Sequence, residues 1–252
     1  MRHRILFLFF VMLWSITGSA AEILKVGITP NYAPLAFEED GVLQGLEVDL
    51  AKNLGLRLGR DIRFVKLPWH ALIPSLENKE IDVVMTGMSI TPARSQRIAF
   101  ATPYMTIGQM GLVRIDSVGR YARLLDLYTT RDRVGFEQGT TGHHFAQAKL
   151  PNARLEPFDN VDTAVTMLRQ GRIDLFIHDA PTIWRIAGNP DERDLIGLYW
   201  PLTEEYLAWA IRKDDAILKR GLDRTVEDWK AEGYLESIIN RWIPLQIQVT
   251  AR

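Results

Sequence analysis

The chain has 252 residues, of which 30 are Lys or Arg and 31 are Asp or Glu, so its formal net charge is −1 at pH 7. This balance excludes the basic surface that a nucleic-acid-binding protein needs, and we expect no nucleic-acid partner. The sequence has no Cys, which excludes disulfides, thiolate metal sites and a lipid-anchored cysteine at a cleavage site.

The first 21 residues have the features of an export signal. A basic start at residues 2–4 is followed by an apolar run at 5–14 and by small residues at 17–21. These are the three regions of a secretory signal peptide, and the run is shorter than the about 20 apolar residues of a membrane span. An uncleaved membrane anchor is the alternative. We expect residues 1–21 to be removed and the mature protein to lie in the periplasm.

The first half of the mature chain alternates strand-like and helix-like segments. Strands are predicted at residues 23–28, 62–67 and 81–85, and helices at 45–56 and 69–76. This βαβαβ order predicts a parallel sheet with right-handed crossovers.

The same order recurs in the second half. Strands are predicted at residues 134–136, 153–156 and 173–177, and helices at 141–148 and 161–170. Extended stretches at 106–115 and 198–211 flank this half, and a helical tail at 216–230 and 234–242 follows it. We therefore expect an α/β fold of two lobes joined by a two-strand hinge. Lobe 1 is predicted to comprise residues 22–110 and 203–252, and lobe 2 residues 111–202.

The segment from residue 85 to Arg94 gives the strongest binding signal. It follows a predicted buried strand, at the edge where ligands bind in open α/β sheets. Thr91 and Pro92 predict a helix start, whose free N–H groups attract an anion, and Arg94 lies in its first turn. Two hydroxyls and a glycine complete the segment, at Thr86, Ser89 and Gly87. The segment predicts a carboxylate receptor, and the alternative is a capped helix with a solvated arginine.

Two other predicted strand ends carry polar residues. Asp179 follows a buried strand and is suited to an ammonium group, although it is also a candidate helix N-cap before Pro181. Glu137 and a Gly/Thr turn with Thr140 and Thr141 follow an earlier strand. The amides of this turn are suited to holding a second side of a carboxylate.

Two aromatic residues also follow predicted strands. Tyr32 and Trp69 lie at the sheet edge that carries Thr86, where they would form the walls of a ligand site. Ordinary core packing is the alternative for both.

Together these segments resemble the polar amino-acid-binding proteins of bacterial ABC importers, the family 3 solute-binding proteins. The resemblance rests on residues 32–34, 45–51, 69–76, 81–94, 98–104, 135–141 and 171–179 and on Trp242. It implies a two-lobed type II periplasmic binding protein, the Venus-flytrap fold, that delivers a small zwitterionic solute to the membrane permease of an ABC importer. We expect this protein to be a monomer.

The resemblance also implies roles for single residues. Arg94 would bind the ligand α-carboxylate, helped by Thr86, Ser89 and the Thr140–Thr141 turn, and Asp179 would bind the α-ammonium. Tyr32 and Trp69 would sandwich the ligand. The His178–Asp179 pair looks most like glutamine-binding relatives.

Three positions bear on departures from the family pattern. Thr29 stands where binders of basic amino acids tend to carry an Asp, whereas Glu137 is placed to restore a preference for a cationic side chain. The segment Gly45-Leu46-Glu47 stands where the family usually has Gly-Phe-Asp, a change expected to affect packing and not ligand contact. The side-chain specificity therefore stays open at the level of the sequence.

Other functions use the same features differently. A cyclohexadienyl dehydratase-like enzyme would need a general acid, for which Glu137 and His178 are candidates. The sensing module of a membrane receptor would continue into a span after Trp242, but residues 243–252 contain no apolar run. His143 and His144 are adjacent on a predicted helix and are expected to point apart, without sharing a metal. We expect no catalysis, no cofactor and no metal.

Overall fold

The computed structural model describes residues 22–190 and 193–243. The predicted signal peptide, residues 1–21, lies outside the described residues, as do residues 244–252 of the expected lobe 1. Within the described ranges, no helix is both long enough and apolar enough to cross a membrane.

In chain order, the strands are β1 (Glu22–Ile28), β2 (Asn31–Tyr32), β3 (Ala36–Glu39), β4 (Val42–Gln44), β5 (Arg60–Lys66), β6 (Val83–Val84), β7 (Ala99–Phe100), β8 (Met105–Ile107), β9 (Gln109–Arg114), β10 (Arg133–Glu137), β11 (Arg154–Phe158), β12 (Leu175–Asp179), β13 (Leu195–Gly197), β14 (Glu205–Leu207) and β15 (Ala210–Ile211). The α-helices are α1 (Leu46–Leu58), α2 (Leu72–Glu77), α3 (Pro92–Ser95), α4 (Leu124–Tyr128), α5 (Thr141–Lys149), α6 (Val161–Arg169), α7 (Ala180–Ala187), α8 (Ala216–Ala231) and α9 (Tyr234–Trp242). Short 3₁₀ helices cover Trp69–Ala71 and Ile115–Tyr121.

Lobe 1 is built on a five-stranded sheet in the order β5-β1-β6-β15-β7. The first three of these strands are parallel, as the βαβαβ pattern predicts, and β15 enters antiparallel between β6 and β7. Helix α1 buries Leu50 and Leu54 in a core that also contains Leu222 and Val226 of α8 and Ile238 of α9. The tail helices therefore complete lobe 1, since their apolar faces pack on this sheet layer.

Lobe 2 is built on a second five-stranded sheet, in the order β11-β10-β12-β9-β13. Strands β11, β10 and β12 are parallel, and β9 pairs antiparallel with β12 and β13. Separate apolar clusters cover the two faces of this sheet, one with α6 and α7 and the other with α5. A sheet buried on both faces explains the nearly continuous apolar runs of its central strands.

The chain passes between the two sheets twice. Strand β8 precedes the first passage and β14 follows the second, and the two pair antiparallel with Thr106 opposite Tyr206. We call β8 and β14 the crossing strands. The two-lobed α/β fold expected from the sequence is thus confirmed, with both passages in the predicted extended stretches.

The lobes also contact each other on two sides. On one side, Trp69 Nε1 of lobe 1 donates to the Gly139 carbonyl oxygen of lobe 2 at 3.1 Å. On the other, Thr182 Oγ1 of α7 donates to the Ala33 carbonyl oxygen at 3.2 Å. The neighbouring Trp184 packs against the cores of both lobes.

Among the predicted strands that differ in extent from those observed, two lead to segments with predicted ligand-binding residues. The strand expected at residues 81–85 is reduced to β6, although Met85 N still donates to the Gly27 carbonyl oxygen. The strand expected at 173–177 is displaced to β12, because pairing with β9 extends it to Asp179. Asp179 is therefore the last residue of the strand, directly opposite Gln109.

Candidate functional site

A cavity of about 930 Å³ lies between the two lobes. Residues of both lobes line it: Thr29, Pro30, Asn31, Lys66, Leu67, Pro68, Trp69, His70, Ile73, Pro74, Met88, Arg94, Arg97, Glu137, Gln138, Gly139 and Asp159. Of the ten residues predicted to bind a ligand, Trp69, Arg94 and Glu137 line this cavity. The other seven are not among its lining residues: Tyr32, Thr86, Gly87, Ser89, Thr140, Thr141 and Asp179. We call Thr86, Ser89, Asp179 and the side chains hydrogen-bonded to Ser89 and Asp179 the polar layer.

Arg94 brings a cation to the cavity from lobe 1. Thr91 caps the short helix α3 by accepting a hydrogen bond from the Arg94 amide at 3.2 Å, as predicted. Arg94 Nη1 donates to the Ser89 carbonyl oxygen at 2.8 Å, and the guanidinium carbon lies 5.1 Å from the centroid of the Trp69 ring. Helix α3 has four residues and thus a small dipole, so the side chain of Arg94 supplies most of the attraction for an anion.

Burial lowers the pKa of Arg94 to about 10, and the charge of Glu205 acts in the opposite direction. The guanidinium therefore stays cationic at neutral pH while being partly removed from water. A cation in that environment attracts a carboxylate more strongly than a solvated one does.

The Gly/Thr turn of lobe 2 contacts Arg94 and Trp69 of lobe 1 at the cavity wall. Gly139, at φ 80°, presents its carbonyl oxygen to Trp69 Nε1 at 3.1 Å and to Arg94 Nη2 at 3.5 Å. Thr140 caps α5 and donates its hydroxyl to the Glu137 carbonyl oxygen at 2.7 Å. Thr141 Oγ1 accepts from Gln109 Nε2 at 3.0 Å. The structure thus brings this turn beside Arg94, with both threonine hydroxyls engaged within the protein.

The three small residues before Arg94 are also engaged internally. Thr86 Oγ1 accepts from the Thr29 amide at 3.2 Å, and Ser89 Oγ donates to Glu205 Oε2 at 2.6 Å. Gly87 has a φ of 70°, and a Cβ at this position would lie 2.7 Å from Tyr32 Cε1. Only glycine is compatible with this backbone and with the close approach of the tyrosine ring.

Glu47 stabilises the backbone at Gly87 through a hydrogen bond. It is fully buried and accepts from the Gly87 amide at 2.7 Å, the Tyr104 hydroxyl at 2.5 Å and Trp209 Nε1 at 3.0 Å. Burial raises the pKa of Glu47, and the three donors act to lower it. Glu47 is absent from the cavity wall, as expected, but its contact with Gly87 gives it more than a packing role.

Asp179 lies in the polar layer, 7% exposed. It takes the N-cap position of α7, but its side chain forms no capping hydrogen bond and instead accepts from Gln109 Nε2. Burial, and then the charge of Glu205, raise the pKa of Asp179 well above its usual value. A bound cation would stabilise the ionised form of this carboxylate.

Glu137 brings a second buried carboxylate to lobe 2, at the cavity wall. Its Oε2 lies 3.1 Å from His178 Nε2. The His178 ring in turn meets the Tyr32 ring edge-on, with centroids 5.5 Å apart. Tyr32 is buried, and within the described part of the chain its hydroxyl has no hydrogen-bond partner. These three side chains form a contiguous polar and aromatic group between the lobes.

Sequence reasoning missed Gln109 and Glu205. Both are buried, and they connect Ser89 of lobe 1 with Thr141 and Asp179 of lobe 2. The only local signal was a polar residue inside each predicted extended stretch, and such a residue does not by itself indicate a ligand site. Their proximity to the site depends on the pairing of β9 with β12, which no local pattern contains.

No cluster of His, Asp and Glu among residues 22–190 and 193–243 could hold a metal ion. The rings of His143 and His144 are stacked with centroids 5.3 Å apart, so the expectation that they point apart is wrong. His143 Nδ1 accepts from the Gly139 amide at 3.1 Å and thereby supports the Gly/Thr turn.

Comparison with known proteins gives consistent similarities. The sequence model of the bacterial extracellular solute-binding proteins, family 3, matches residues 24–245. The chain is 30% identical over 237 residues to ABC transporter arginine-binding protein 1 of Escherichia coli strain K12, covering 90% of this chain and 93% of that protein. It is 29% identical to the histidine-binding periplasmic protein of the same strain, covering 89% and 88%.

A solved structure shares the fold closely. It is the ancestral amino acid-binding protein described as a precursor of cyclohexadienyl dehydratase. The TM-score is 0.82 at 32% sequence identity, covering 88% of this chain and 95% of that one.

Proposed function

The chain belongs to the bacterial extracellular solute-binding proteins of family 3, and on that premise we propose that it delivers a polar amino acid to an ABC importer in the periplasm. The relatives named above are an arginine-binding protein of an ABC transporter and a histidine-binding periplasmic protein. Their names support both the class of solute and the compartment.

One observation carries the proposal: side chains of opposite charge type come from opposite lobes, a partly buried arginine from one and two buried carboxyl groups from the other. Arg94 comes from lobe 1, whereas Glu137 and Asp179 come from lobe 2. Removing either charge of an amino acid from water without a partner costs several kcal/mol. A site that supplies both partners binds a zwitterion in preference to an ion of either single charge.

The proposed pose follows from these positions. Arg94 binds the α-carboxylate, with Ser89 and the Gly/Thr turn beside it, and Asp179 binds the α-ammonium. Tyr32 and Trp69 enclose the ligand. The rest of the predicted set, Thr86, Gly87, Thr140 and Thr141, supports these residues from beside the cavity through hydrogen bonds and backbone conformation.

Glu137 determines the preference for the ligand's side chain in this proposal. Its carboxylate is 8% exposed, lies at the cavity wall and is hydrogen-bonded to a histidine. A partly desolvated carboxylate favours a side chain with several N–H donors, such as a guanidinium or an ammonium. Thr29, also at the wall, leaves uncharged the position at which binders of basic amino acids tend to carry an Asp.

The crossing strands act as the hinge in this proposal. Because β9 begins at Gln109 in the second sheet, the expected boundary at residue 110 would move to residue 108. Lobe 1 would then comprise residues 22–108 with 203–252 and lobe 2 residues 109–202, closing on each other when the ligand bridges them. The protein would act as a monomer and present the closed form to a membrane permease.

A thermal-shift screen of the mature chain against the standard amino acids tests the proposal. The true ligand raises the melting temperature by mass action. Arg94→Ala and Asp179→Ala should each abolish the shift, because each removes one partner of the zwitterion. Arg63→Ala and Asp61→Ala, at exposed positions of β5, are the matched controls and should retain it. A full shift in Arg94→Ala, or no shift with any amino acid in the parent protein, overturns the proposal.

We propose binding without turnover, in keeping with relatives named as binding proteins. The similarity to the dehydratase precursor calls for a direct check of the enzymatic alternative. Incubation with prephenate and with arogenate should return both compounds unchanged by mass spectrometry. If phenylpyruvate or phenylalanine forms faster than in a control without protein, the protein is a dehydratase and the proposal of binding without turnover is wrong.

A further inference from the structure

Two buried polar side chains lie between the halves of the proposed site. Gln109 begins β9 and is fully buried, and Glu205 begins β14 and is 8% exposed. Neither is among the residues that line the cavity. They are therefore placed to act on the ligand site through other side chains.

Glu205 uses its two oxygens in two directions. Its Oε2 accepts from Ser89 Oγ of lobe 1 at 2.6 Å. Its Oε1 accepts from Gln109 Nε2 of lobe 2 at 3.1 Å and from Thr203 Oγ1 at 2.7 Å. A single carboxylate on a crossing strand thus contacts the residue group around Arg94 and the group around Asp179.

Gln109 completes the connection in lobe 2. Its Nε2 contacts Asp179 Oδ1, Thr141 Oγ1 and Glu205 Oε1. An amide nitrogen has two hydrogens, so three acceptors share two donors. If the hydrogen bond from Gln109 to Asp179 weakens, Gln109 can donate more strongly to Glu205 Oε1. The position of Glu205 then changes its hydrogen bond with Ser89.

Resting on the proposed function, we propose that Glu205 and Gln109 are positioning residues that couple recognition of the ligand's carboxylate to recognition of its ammonium group. When an ammonium group binds Asp179, that carboxylate needs less from Gln109, and the amide shifts towards Glu205. Glu205 then sets the orientation of Ser89 beside Arg94. The chain of contacts runs Ser89–Glu205–Gln109–Asp179.

This arrangement makes the two charged groups of the ligand interdependent. Without this chain of contacts, the residues around Arg94 and those around Asp179 would bind the ligand's carboxylate and ammonium group independently. With it, a ligand carrying both groups gains affinity beyond the contributions of the separate groups.

The experiment compares a parent amino acid with two analogues that each lack one charged group. For L-arginine these are agmatine and 5-guanidinopentanoate, for L-histidine they are histamine and imidazolepropanoate, and for L-glutamine 4-aminobutanamide and glutaramate. We would use the set whose amino acid gives the largest thermal shift. The affinities of that amino acid and its two analogues are measured by calorimetric competition, in the unchanged protein and in Glu205→Gln.

Glu205→Gln keeps the shape of the side chain but replaces one acceptor oxygen by a donor, so it cannot accept from both Ser89 and Gln109. We expect the parent ligand to lose about tenfold in affinity while each analogue loses less than about threefold. Glu204→Gln, at the exposed neighbouring position, is the matched control and should change none of the three.

A merely structural defect would lower all three affinities by the same factor. That result, or no loss of affinity at all, would contradict the proposed coupling through Glu205 and Gln109. Gln109→Met removes the shared donor from the other end and should reproduce the selective loss if Glu205→Gln does not fold. Failure of the proposed function is seen separately, as the absence of binding of any parent amino acid to the unchanged protein.

Discussion

The carbonyl oxygen of Gly139 receives two donors from lobe 1, Trp69 Nε1 and Arg94 Nη2. The guanidinium of Arg94 also lies over the ring of Trp69, so one side chain is oriented by a cation–π contact and by two carbonyl oxygens. This orientation fixes the direction in which the remaining N–H groups point. A flexible ammonium would have no comparable constraint.

Arg94→Lys should therefore weaken ligand binding even though it retains the positive charge. The lysine loses the planar fork and the stacking on Trp69, and we expect a loss of affinity of about tenfold or more in isothermal titration. Arg63→Lys on the exposed side of β5 should leave the affinity unchanged. An affinity equal to that of the parent would show that charge alone suffices at this position.

Glu137→Gln should change which amino acid is preferred. Loss of the charge removes the partner of a cationic side chain, so the ratio of affinities for arginine over glutamine should fall by about tenfold or more. Glu156→Gln, at an exposed position of β11, is the control and should leave the ratio unchanged. An unchanged ratio in Glu137→Gln would place the side-chain determinant elsewhere.

Single residues were predictable where chemistry and strand ends coincide. Arg94, Trp69 and Glu137 line the cavity, and Thr91 caps α3, as its position before Pro92 predicts. Gln109 and Glu205 were not predictable, because their meeting depends on strand pairing between distant segments. The orientation of Asp179 towards Gln109, and not towards the first turn of α7, has the same origin.

At the level of elements, an arginine cluster fixes the start of β12. Asp174 accepts from the amide, Nε and Nη2 of Arg133 at the start of β10, and Arg120 Nη2 lies 3.4 Å away. Burial by itself raises the pKa of Asp174, but the hydrogen bonds from Arg133 outweigh it and lower the pKa to about 2. Asp174 thus fixes the register of β12 against β10, a larger role than that of a turn or cap residue before a strand.

The lowered pKa of Asp174 has a consequence for stability. The stabilisation is fully present above the ordinary pKa of 3.8 and is lost as the pH falls towards about 2. Asp174→Asn should lower the free energy of unfolding by about 1–3 kcal/mol at neutral pH and flatten its dependence on pH between those values. Urea unfolding at pH 7 and at steps down to pH 2.5 measures both, with the exposed Asp61→Asn as control. A parallel pH dependence in parent and variant would contradict the assignment.

At the level of the whole molecule, the sequence predicts the two-lobed plan because each half repeats the same strand–helix order. It does not reveal that β15 inserts between β6 and β7, since antiparallel entry of a two-residue strand leaves no periodic signal. Contacts between the lobes are likewise set by their packing. Thr182 and Trp184 of α7 illustrate this, because their helix is amphipathic without indicating which of its contacts reach lobe 1.

Thr182→Val should favour separation of the lobes. It removes the hydrogen bond to Ala33 while keeping the shape of the side chain, and we expect ligand affinity to fall by about threefold to tenfold. Isothermal titration gives the affinity, and small-angle scattering without ligand should give a radius of gyration no smaller than that of the parent. The control is Thr166→Val, which removes a hydrogen bond from the Thr166 hydroxyl to the Asp162 carbonyl oxygen within α6. Unchanged affinity would show that this contact does not contribute to closure.

The acceptor at Gly139 belongs to the main chain, and this has an evolutionary consequence. Substitutions that alter the side chains of the lobe 2 turn leave a carbonyl oxygen in place for Trp69 and Arg94, provided that the backbone keeps its positive φ. Selection to maintain the contact therefore falls on the two lobe 1 side chains and on the small residue at 139. Side chains elsewhere in the turn do not enter this contact, so substitutions there that preserve the α5 cap at Thr140 would leave the acceptor between the lobes in place.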